Sequence, residues 1–328
     1  MKISNVLAYA AVIAPVLLGF SAPAAAQSAA GYPSKPIRFI VPFPTGAGTD
    51  IIARQVSAKL SENFKQQVIV DNRPGASTII GTEILAKSPP DGHTIIIASN
   101  NHAINSALFS KLPYDPVKDF AAVGQLAALP FVLVVHPSLP VNGVRELIAF
   151  ARARPGQLSY ASTGNGTPPH VAGELLKQLA KIELVHVPYK GSPAALTDVI
   201  AGQVPMMFAN TLSAIQHVRS GRLRAIAVGA AKRIAIAPDL PTVIESGLPG
   251  FDVSLWAGIL APAKTPREII VKLNREVLNV LALREVKEKL AAEGAEVTPS
   301  SPEEFAALVV SEIERLGRIA RLANMRVD

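Results

Sequence analysis

Three short segments of the chain combine glycine with small hydrogen-bonding side chains, and each lies between a predicted strand and a predicted helix. They cover residues 42–50, 162–170 and 188–193, and we call them the first, second and third loops. Glycine lets a bound molecule approach the backbone closely, and the free N–H groups and dipole at a helix start favour an anion. The residue types in these loops therefore predict contact with a negatively charged group.

Ordinary structural roles remain open for several residues of these loops. Thr49 or Asp50 is also suited to cap the first predicted helix, and His170 to cap the second or to lie in the core. Ser192 is suited to cap a helix that begins one residue later, and Lys190 to be a solvated surface lysine. We assign the ligand-binding role to the loops jointly, because two helix starts that face each other across a cleft would hold an anion from both sides.

The candidate ligand-binding residues come from all three loops. None of them is an arginine, the usual bidentate partner of a carboxylate, so the expected donors are backbone N–H groups, Thr and Ser hydroxyls, and water. Such donors suit a carboxylate, since charge-assisted hydrogen bonds are roughly twice as strong as neutral ones. The predicted set is Phe43, Gly46, Ala47, Gly48, Thr49, Asp50, Ser162, Thr163, Gly164, Asn165, Gly166, Thr167, His170 and Lys190.

Sequence motifs of catalytic and metal sites are missing from the chain. The first loop is followed by Ile51 where a dinucleotide fingerprint needs its third glycine, and neither of the first two loops continues into Gly-Lys-Ser/Thr. There is no cysteine, and the six histidines are isolated in the sequence, with no pair at helix-ligand spacing. We therefore predict no catalytic residue, no metal and no cofactor. The remaining enzymatic alternative is a hydrolase that uses Ser162 or Thr167 with His170 as its base.

The N-terminus has the pattern of a secretory leader. Residues 6–20 form an apolar run after Lys2, and small residues at 24–26 precede a predicted cleavage site. This run is shorter than the about 18–20 residues of a membrane-spanning helix, so we predict a cleaved signal peptide, a mature start at Gln27 and export to the periplasm. The formal charge of +7 mildly favours anionic solutes, whereas the scattering of the Lys and Arg residues argues against nucleic acid as a partner.

Short β-branched runs alternate with amphipathic helical patterns twice along the chain, which predicts βαβ units and a mostly parallel sheet. The first block has predicted strands at 37–41, 68–70 and 94–98, and the second block begins at position 131. We expect two α/β lobes joined by crossings at 121–135 and 223–230, with the C-terminal helices returning to the first lobe. The predicted divisions are 1–26 for the signal peptide, 27–130 and 246–328 for the first lobe, and 131–245 for the second.

Seven motifs, in order along the chain, resemble those of the substrate-binding proteins of tripartite tricarboxylate transporters, also called Bug-type receptors. They are Ile40-Val41-Pro42-Phe43 with the loop that ends in Thr49-Asp50, Val70-Asp71-Asn72-Arg73-Pro74-Gly75-Ala76, Pro90-Asp91-Gly92-His93-Thr94, Gly164-Asn165-Gly166 with His170, His186-Val187-Pro188-Tyr189-Lys190-Gly191, Asp239-Leu240-Pro241-Thr242-Val243, and Gly247-Leu248-Pro249-Gly250-Phe251. The resemblance covers essentially the whole predicted mature chain.

This resemblance implies a two-lobed α/β fold like that of type II periplasmic binding proteins. It implies that the first and second loops hold a small carboxylate in the cleft between the lobes, partly through water, and that the receptor delivers it to a small and a large membrane subunit. The chain departs from the family pattern at Ala47, Pro168, Pro169 and Pro205, which concern the identity of the ligand. We expect a monomer. A receptor that presents its ligand to a membrane signalling kinase is the alternative function.

Overall fold

The structure, a computed structural model, describes residues 31–292, 294–322 and 325. The predicted signal peptide and its cleavage site lie outside these residues. In chain order the strands are β1 (Ile37–Val41), β2 (Val68–Asn72), β3 (Thr94–Ser99), β4 (Phe120–Val135), β5 (Ser159–Ser162), β6 (Val185–Pro188), β7 (Met206–Asn210), β8 (Arg224–Val228), β9 (Ser254–Pro262) and β10 (Glu296–Val297). The helices are α1 (Gly48–Phe64), α2 (Ile79–Ala86), α3 (Asn100–Leu108), α4 (Val144–Arg152), α5 (Pro168–Ala180), α6 (Ser192–Ile200), α7 (Thr211–Arg219), α8 (Arg267–Ala282), α9 (Arg284–Ala292) and α10 (Pro302–Leu322).

The strands form two sheets that share β4. In the first sheet β1 lies between β2 and β3 and is parallel to both, while β9 lies antiparallel between β3 and β4. In the second sheet β5, β6 and β7 are parallel, and β4 lies antiparallel between β7 and β8. Elements that pack on the first sheet make up the first lobe, and elements on the second sheet make up the second lobe. Strands β1 and β3 are almost continuously apolar because helices cover both of their faces.

The first crossing between the lobes is part of a strand. The N-terminal part of β4, up to Pro130, pairs with β9 in the first sheet, and the remaining residues, from Phe131, pair with β7 and β8 in the second. The sequence pattern predicted a strand only from residue 131. Residues 120–130 are rich in alanine and lack the usual signature of a strand, and they are extended because β9 pairs with them along their length.

The second crossing lies later in the chain than predicted. Residues 224–228 form β8, which stays in the second sheet because its backbone pairs with β4, so the crossing predicted at 223–230 is wrong in place. The chain returns to the first sheet only at β9. At the return, the Val253 N–H donates to Gly229 O at 2.7 Å, and the Gly229 N–H donates to Phe131 O at 2.7 Å, so the two crossings are bonded together. The divisions at residues 130 and 245 stay predictions of domain boundaries.

The C-terminal helices pack mainly on the first lobe, and α10 also touches α5 of the second. On α10, Arg315 donates from Nη1 to Asp252 O at 2.6 Å, beside the second crossing. Asn100, at the start of α3, donates to Ser254 O at 3.0 Å and accepts from the Trp256 N–H at 2.9 Å. These contacts fix the beginning of β9 between α3 and α10. Among the described residues, no helix is both long and apolar enough to cross a membrane.

Candidate functional site

The first loop leaves backbone donors free at the start of α1. The helix begins at Gly48, and its N-cap is Ala47 in an extended conformation, which has no side-chain oxygen to act as a cap. The interpretation of Thr49 or Asp50 as the N-cap is therefore wrong, since both lie inside the first turn. Within the described part of the chain, no backbone or side-chain acceptor lies against the N–H groups of Gly48 and Thr49. These two donors, at the positive end of a 17-residue helix, suit an anion.

Asp50 shapes the first loop through its carboxylate. Its side chain is buried and accepts hydrogen bonds from the Gly46 N–H at 2.8 Å, Asn72 Nδ2 at 2.8 Å and Arg54 Nε at 3.0 Å. Burial by itself raises the pKa of Asp50, but the hydrogen bonds from Arg54, Gly46 and Asn72 outweigh it and hold the pKa below its usual value. Asn72 also donates to Phe43 O at 3.1 Å, so the end of β2 and the first loop are joined. Asp50 therefore acts on a ligand through the loop that it holds.

The second loop follows β5 and turns into α5. Gly164 O accepts from the Thr167 N–H at 3.3 Å and from Thr167 Oγ1 at 2.7 Å, which closes a tight turn with the exposed Asn165 at its tip. Thr167 is the N-cap of α5, and the first two helical residues are Pro168 and Pro169. Because proline has no N–H group, the start of α5 offers fewer free backbone donors than the start of α1. The two helix starts are thus unequal, and the second loop must supply its donors mainly from its turn.

Two stacked imidazole rings lie beneath the second loop. The rings of His170 and His186 have centroids 3.8 Å apart and planes 6° apart, so these histidines are not isolated in the fold. His170 Nδ1 accepts from the Gly166 N–H at 3.0 Å, while His186 Nε2 lies 2.7 Å from Ser162 Oγ. Ser162 is fully buried and its hydroxyl is also bonded to Gly164. The serine is therefore paired with His186, whereas the sequence analysis considered His170 as its partner.

Both histidines are held uncharged at neutral pH. Burial, and next the neighbouring His186, lower the pKa of His170 to about 4, with Glu174 opposing them. Burial likewise lowers the pKa of His186, again against the effect of Glu174. Behind the rings, Glu174 accepts from Tyr160 Oη at 2.7 Å and pairs with Lys177 Nζ at 2.8 Å. The second loop is thus supported by two neutral imidazole rings, and the nearby Glu174 carboxylate is already paired with Lys177.

The third loop runs beside the second. The Tyr189 N–H donates to Ser162 O at 3.0 Å and the Gly191 N–H donates to Thr163 O at 3.2 Å, which leaves the exposed Lys190 next to Thr163. Helix α6 begins at Ser192 with Gly191 as its N-cap, so the predicted capping role of Ser192 is wrong. The third loop therefore widens the polar rim of the second lobe and adds one cation to it.

The two lobes approach each other at two places beside these loops. A Cβ atom built on Gly48 would lie 3.7 Å from Asn210 Nδ2, at the end of β7 in the second lobe. Nearby, Asn100 and Ile104 of α3 lie against Gly166 and Pro168 of the second lobe, with no space between them for a water molecule. The first and second loops therefore both meet the opposite lobe, and the elements that they meet are β7 and α3.

The sequence analysis missed Asn210. The signal that could have found it is its position at the carboxyl end of a parallel strand, where ligands of open α/β sheets bind. Among the described residues, no group of His, Asp or Glu side chains could hold a metal ion.

Comparisons with known proteins identify the family. The family model described as the tripartite tricarboxylate transporter family receptor matches residues 52–325. A protein encoded in the tcbD-tcbE intergenic region of Pseudomonas sp. (strain P51) is 43% identical over 88% of this chain and 87% of its own length. Protein BugT of Bordetella pertussis is 36% identical over 92% of this chain and 93% of its own length.

Solved structures agree with these sequence relationships. The chain is similar to R. palustris Rpa4515 with adipate, with a TM-score of 0.83 and 36% identity, over 90% of this chain and 100% of that one. It is also similar to MatC from Rhodopseudomonas palustris with bound malate, with a TM-score of 0.78 and 33% identity, over 88% of this chain and 99% of that one. The periplasmic binding protein BugD gives a TM-score of 0.79. The predicted fold class is confirmed, and the chain belongs to the receptor family of tripartite tricarboxylate transporters.

Proposed function

We propose that the chain is a receptor that captures a small organic carboxylate between its two lobes and delivers it to the membrane subunits of a tripartite importer. The observation that carries this proposal is the start of α1, where the Gly48 and Thr49 N–H groups make no hydrogen bond among the described residues and Gly48 lies beside Asn210 at the end of β7. A carboxylate oxygen would accept hydrogen bonds from these two N–H groups, and closure of the lobes would exclude water from them. The loop conformation needed for this contact is maintained by Asp50.

The second and third loops provide a different set of donors. Asn165 is exposed at the tip of its turn, Thr163 lies beside it, and Lys190 is the nearby cation. The carboxylate that binds at α1 meets backbone amides, and a second acidic group would meet this rim. The relatives solved with adipate and malate contain dicarboxylates, so dicarboxylates are the first class to test.

We also propose that the receptor acts in the periplasm as a monomer and makes or breaks no bond in its ligand. Support for a binding role comes from Ser162, whose hydroxyl is buried and bonded within its own loop, so it lacks the access that a nucleophile needs. Presentation of the ligand to a signalling kinase remains the second candidate. In a deletion strain, loss of uptake supports delivery, whereas loss of a transcriptional response with uptake intact supports signalling.

A thermal-shift screen of small organic acids tests the binding function. Adipate and malate are compared with adipamide, which keeps the length of adipate but has no carboxylate. A ligand at about 100 times its Kd stabilises the folded protein by roughly 2.7 kcal/mol, which raises the melting temperature measurably. We expect a shift with at least one acid and none with adipamide. A shift with sugars or cations, and with no organic acid, contradicts the proposal.

A further inference from the structure

Each end of the second loop is held by a different ring of the stacked histidine pair. At the β5 end, Ser162 Oγ lies 2.7 Å from His186 Nε2, and near the start of α5 the Gly166 N–H donates to His170 Nδ1 at 3.0 Å. The rings belong to α5 and β6, yet they contact each other face to face at 3.8 Å. The conformation of the loop therefore depends on two ring nitrogens that lie outside its exposed tip.

The bond from Gly166 specifies one protonation state of His170. Nδ1 accepts the amide proton, so the ring proton must be on Nε2, and a second proton on Nδ1 would place two donors against each other. A charge on either ring would also lie within stacking distance of the other ring. Protonation of His170 at Nδ1 therefore breaks the bond from Gly166. A proton on both rings would add repulsion beneath the loop, since like charges at this distance disfavour each other.

The charged groups described around the histidine pair already have partners of their own. Among the described residues, the charged groups that act on the rings are Glu174 and Lys177 of α5, which are paired with each other at 2.8 Å. The polar neighbours on β5 are Tyr160, which donates to the same carboxylate, and Ser162. Burial lowers the pKa of both histidines, which agrees with a site built for neutral rings.

We propose that His170 and His186 are positioning residues of the ligand site, and that the second loop binds its solute only while the His170 ring is uncharged. Neither ring needs to touch the solute, because each acts through Ser162 or Gly166. The part of this inference that concerns the solute rests on the proposed carboxylate-binding function. Its consequence is release of solute in acid, with the second loop as the element that changes.

The first test uses solute-free protein and needs no ligand. The Gly166 amide and the histidine ring nitrogens are followed by NMR from neutral pH to about pH 4, where His170 takes up its proton. We expect the Gly166 amide to shift together with protonation of the His170 ring. In His170→Asn, whose side-chain oxygen can accept the same bond, the amide should stay unshifted over this range. A Gly166 amide that ignores ring protonation in the wild type overturns the inference.

The second test measures adipate affinity by titration calorimetry at neutral pH and at about pH 4, where about half of the His170 rings carry the second proton. At neutral pH we expect His170→Ala to lose about 10-fold or more, a ratio that corresponds to one good hydrogen bond, and His170→Asn to recover most of it. His186→Gln, which can still bond Ser162, should likewise bind better than His186→Ala. The control is His136→Asn, because His136 is half-buried and bonded to Ser138 away from the loops.

The measurement in acid must distinguish protonation of the histidines from protonation of the ligand. Protonation of adipate weakens binding in every variant, so the informative quantity is the extra loss in the wild type relative to His170→Asn. We expect this extra loss, and equal losses in the two proteins contradict the inference. If the wild type binds neither adipate nor malate at neutral pH, the proposed function fails for these acids, while the NMR test still decides the role of the histidines.

Discussion

Gly48 is the position where added volume tests the site most directly. A Cβ atom there would lie 3.1 Å from Leu129 Cδ2, on the first crossing, and 3.7 Å from Asn210 Nδ2, in the opposite lobe. The first distance is tighter than an ordinary contact by a few tenths of an ångström, but the neighbour is the end of a flexible side chain. Since the Gly48 backbone is not left-handed, alanine adds no backbone strain there, and it gains roughly 0.4–1 kcal/mol because it restricts the unfolded chain.

The expected effects of alanine and leucine differ. For Gly48→Ala, we expect an unchanged or slightly higher melting temperature without ligand and an affinity loss below about 5-fold, or about 1 kcal/mol. For Gly48→Leu, three more carbons must fit against Asn210 in the closed arrangement of the lobes. Overpacking of this kind typically costs about 1–3 kcal/mol, which corresponds to about 5- to 150-fold in Kd.

Titration calorimetry with the acid identified by the screen measures these losses, and melting of the ligand-free protein reports any damage to the fold. Gly143→Leu is the matched control, because its backbone is extended and no atom lies within 4 Å of a Cβ built there. Wild-type affinity in a well-folded Gly48→Leu protein would refute the reasoning, since the start of α1 would then not face the solute.

Three further predictions follow from the same geometry. Asp50→Asn removes the charge that accepts from Gly46 and Arg54, so we expect urea denaturation to show a loss of about 1.5–3 kcal/mol, with weaker ligand binding as well. Asn165→Glu places a negative charge at the exposed tip of the second loop, so calorimetry should show weaker binding of an acid with an unchanged melting temperature, whereas Asn165→Gln should bind normally. His102 and His170 have pKa values lowered from 6.5 to about 4, so the unfolded chain binds more protons than the folded one between these values. The free energy of unfolding should therefore be highest above about pH 6.5 and should fall in acid by up to about 1.4 kcal/mol per pH unit for each histidine. A urea midpoint that does not change with pH across this range would contradict the lowered pKa values of these histidines.

The regular elements could be predicted wherever the apolar period was strong. Strand β1 and helix α1 differ from their predicted bounds by at most one residue, because their apolar residues recur at the strand or helix period. Helix α3 was missed because its sequence is polar, with Asn100, Asn101 and His102 buried at its start. These side chains are buried because they bond other elements, for example Ser77 and Pro116 O, and such partners are not visible from local sequence.

The loops of the candidate site could also be predicted from the sequence, but the roles of the individual residues within them could not. Glycine content and position after a strand identified residues 42–50 and 162–170. Tertiary packing brings Asn72 and Arg54 to the Asp50 carboxylate, where both donate hydrogen bonds. It also stacks the ring of His170 on that of His186. Pairwise spacing in the sequence carries no information on contacts between separate elements of a sheet.

The place of β9 within the first sheet determines when this sheet can be completed during synthesis. The strand lies between β3 and β4, although it follows them by more than a hundred positions along the chain. A growing chain that already contains β1 to β4 therefore lacks the strand that joins β3 to β4, and it also lacks α8 and α10, which pack on β4. Pairings so distant in sequence form slowly, because loop closure must precede the contacts that reward it. The nascent chain thus stays without its native first lobe until its last quarter has been made.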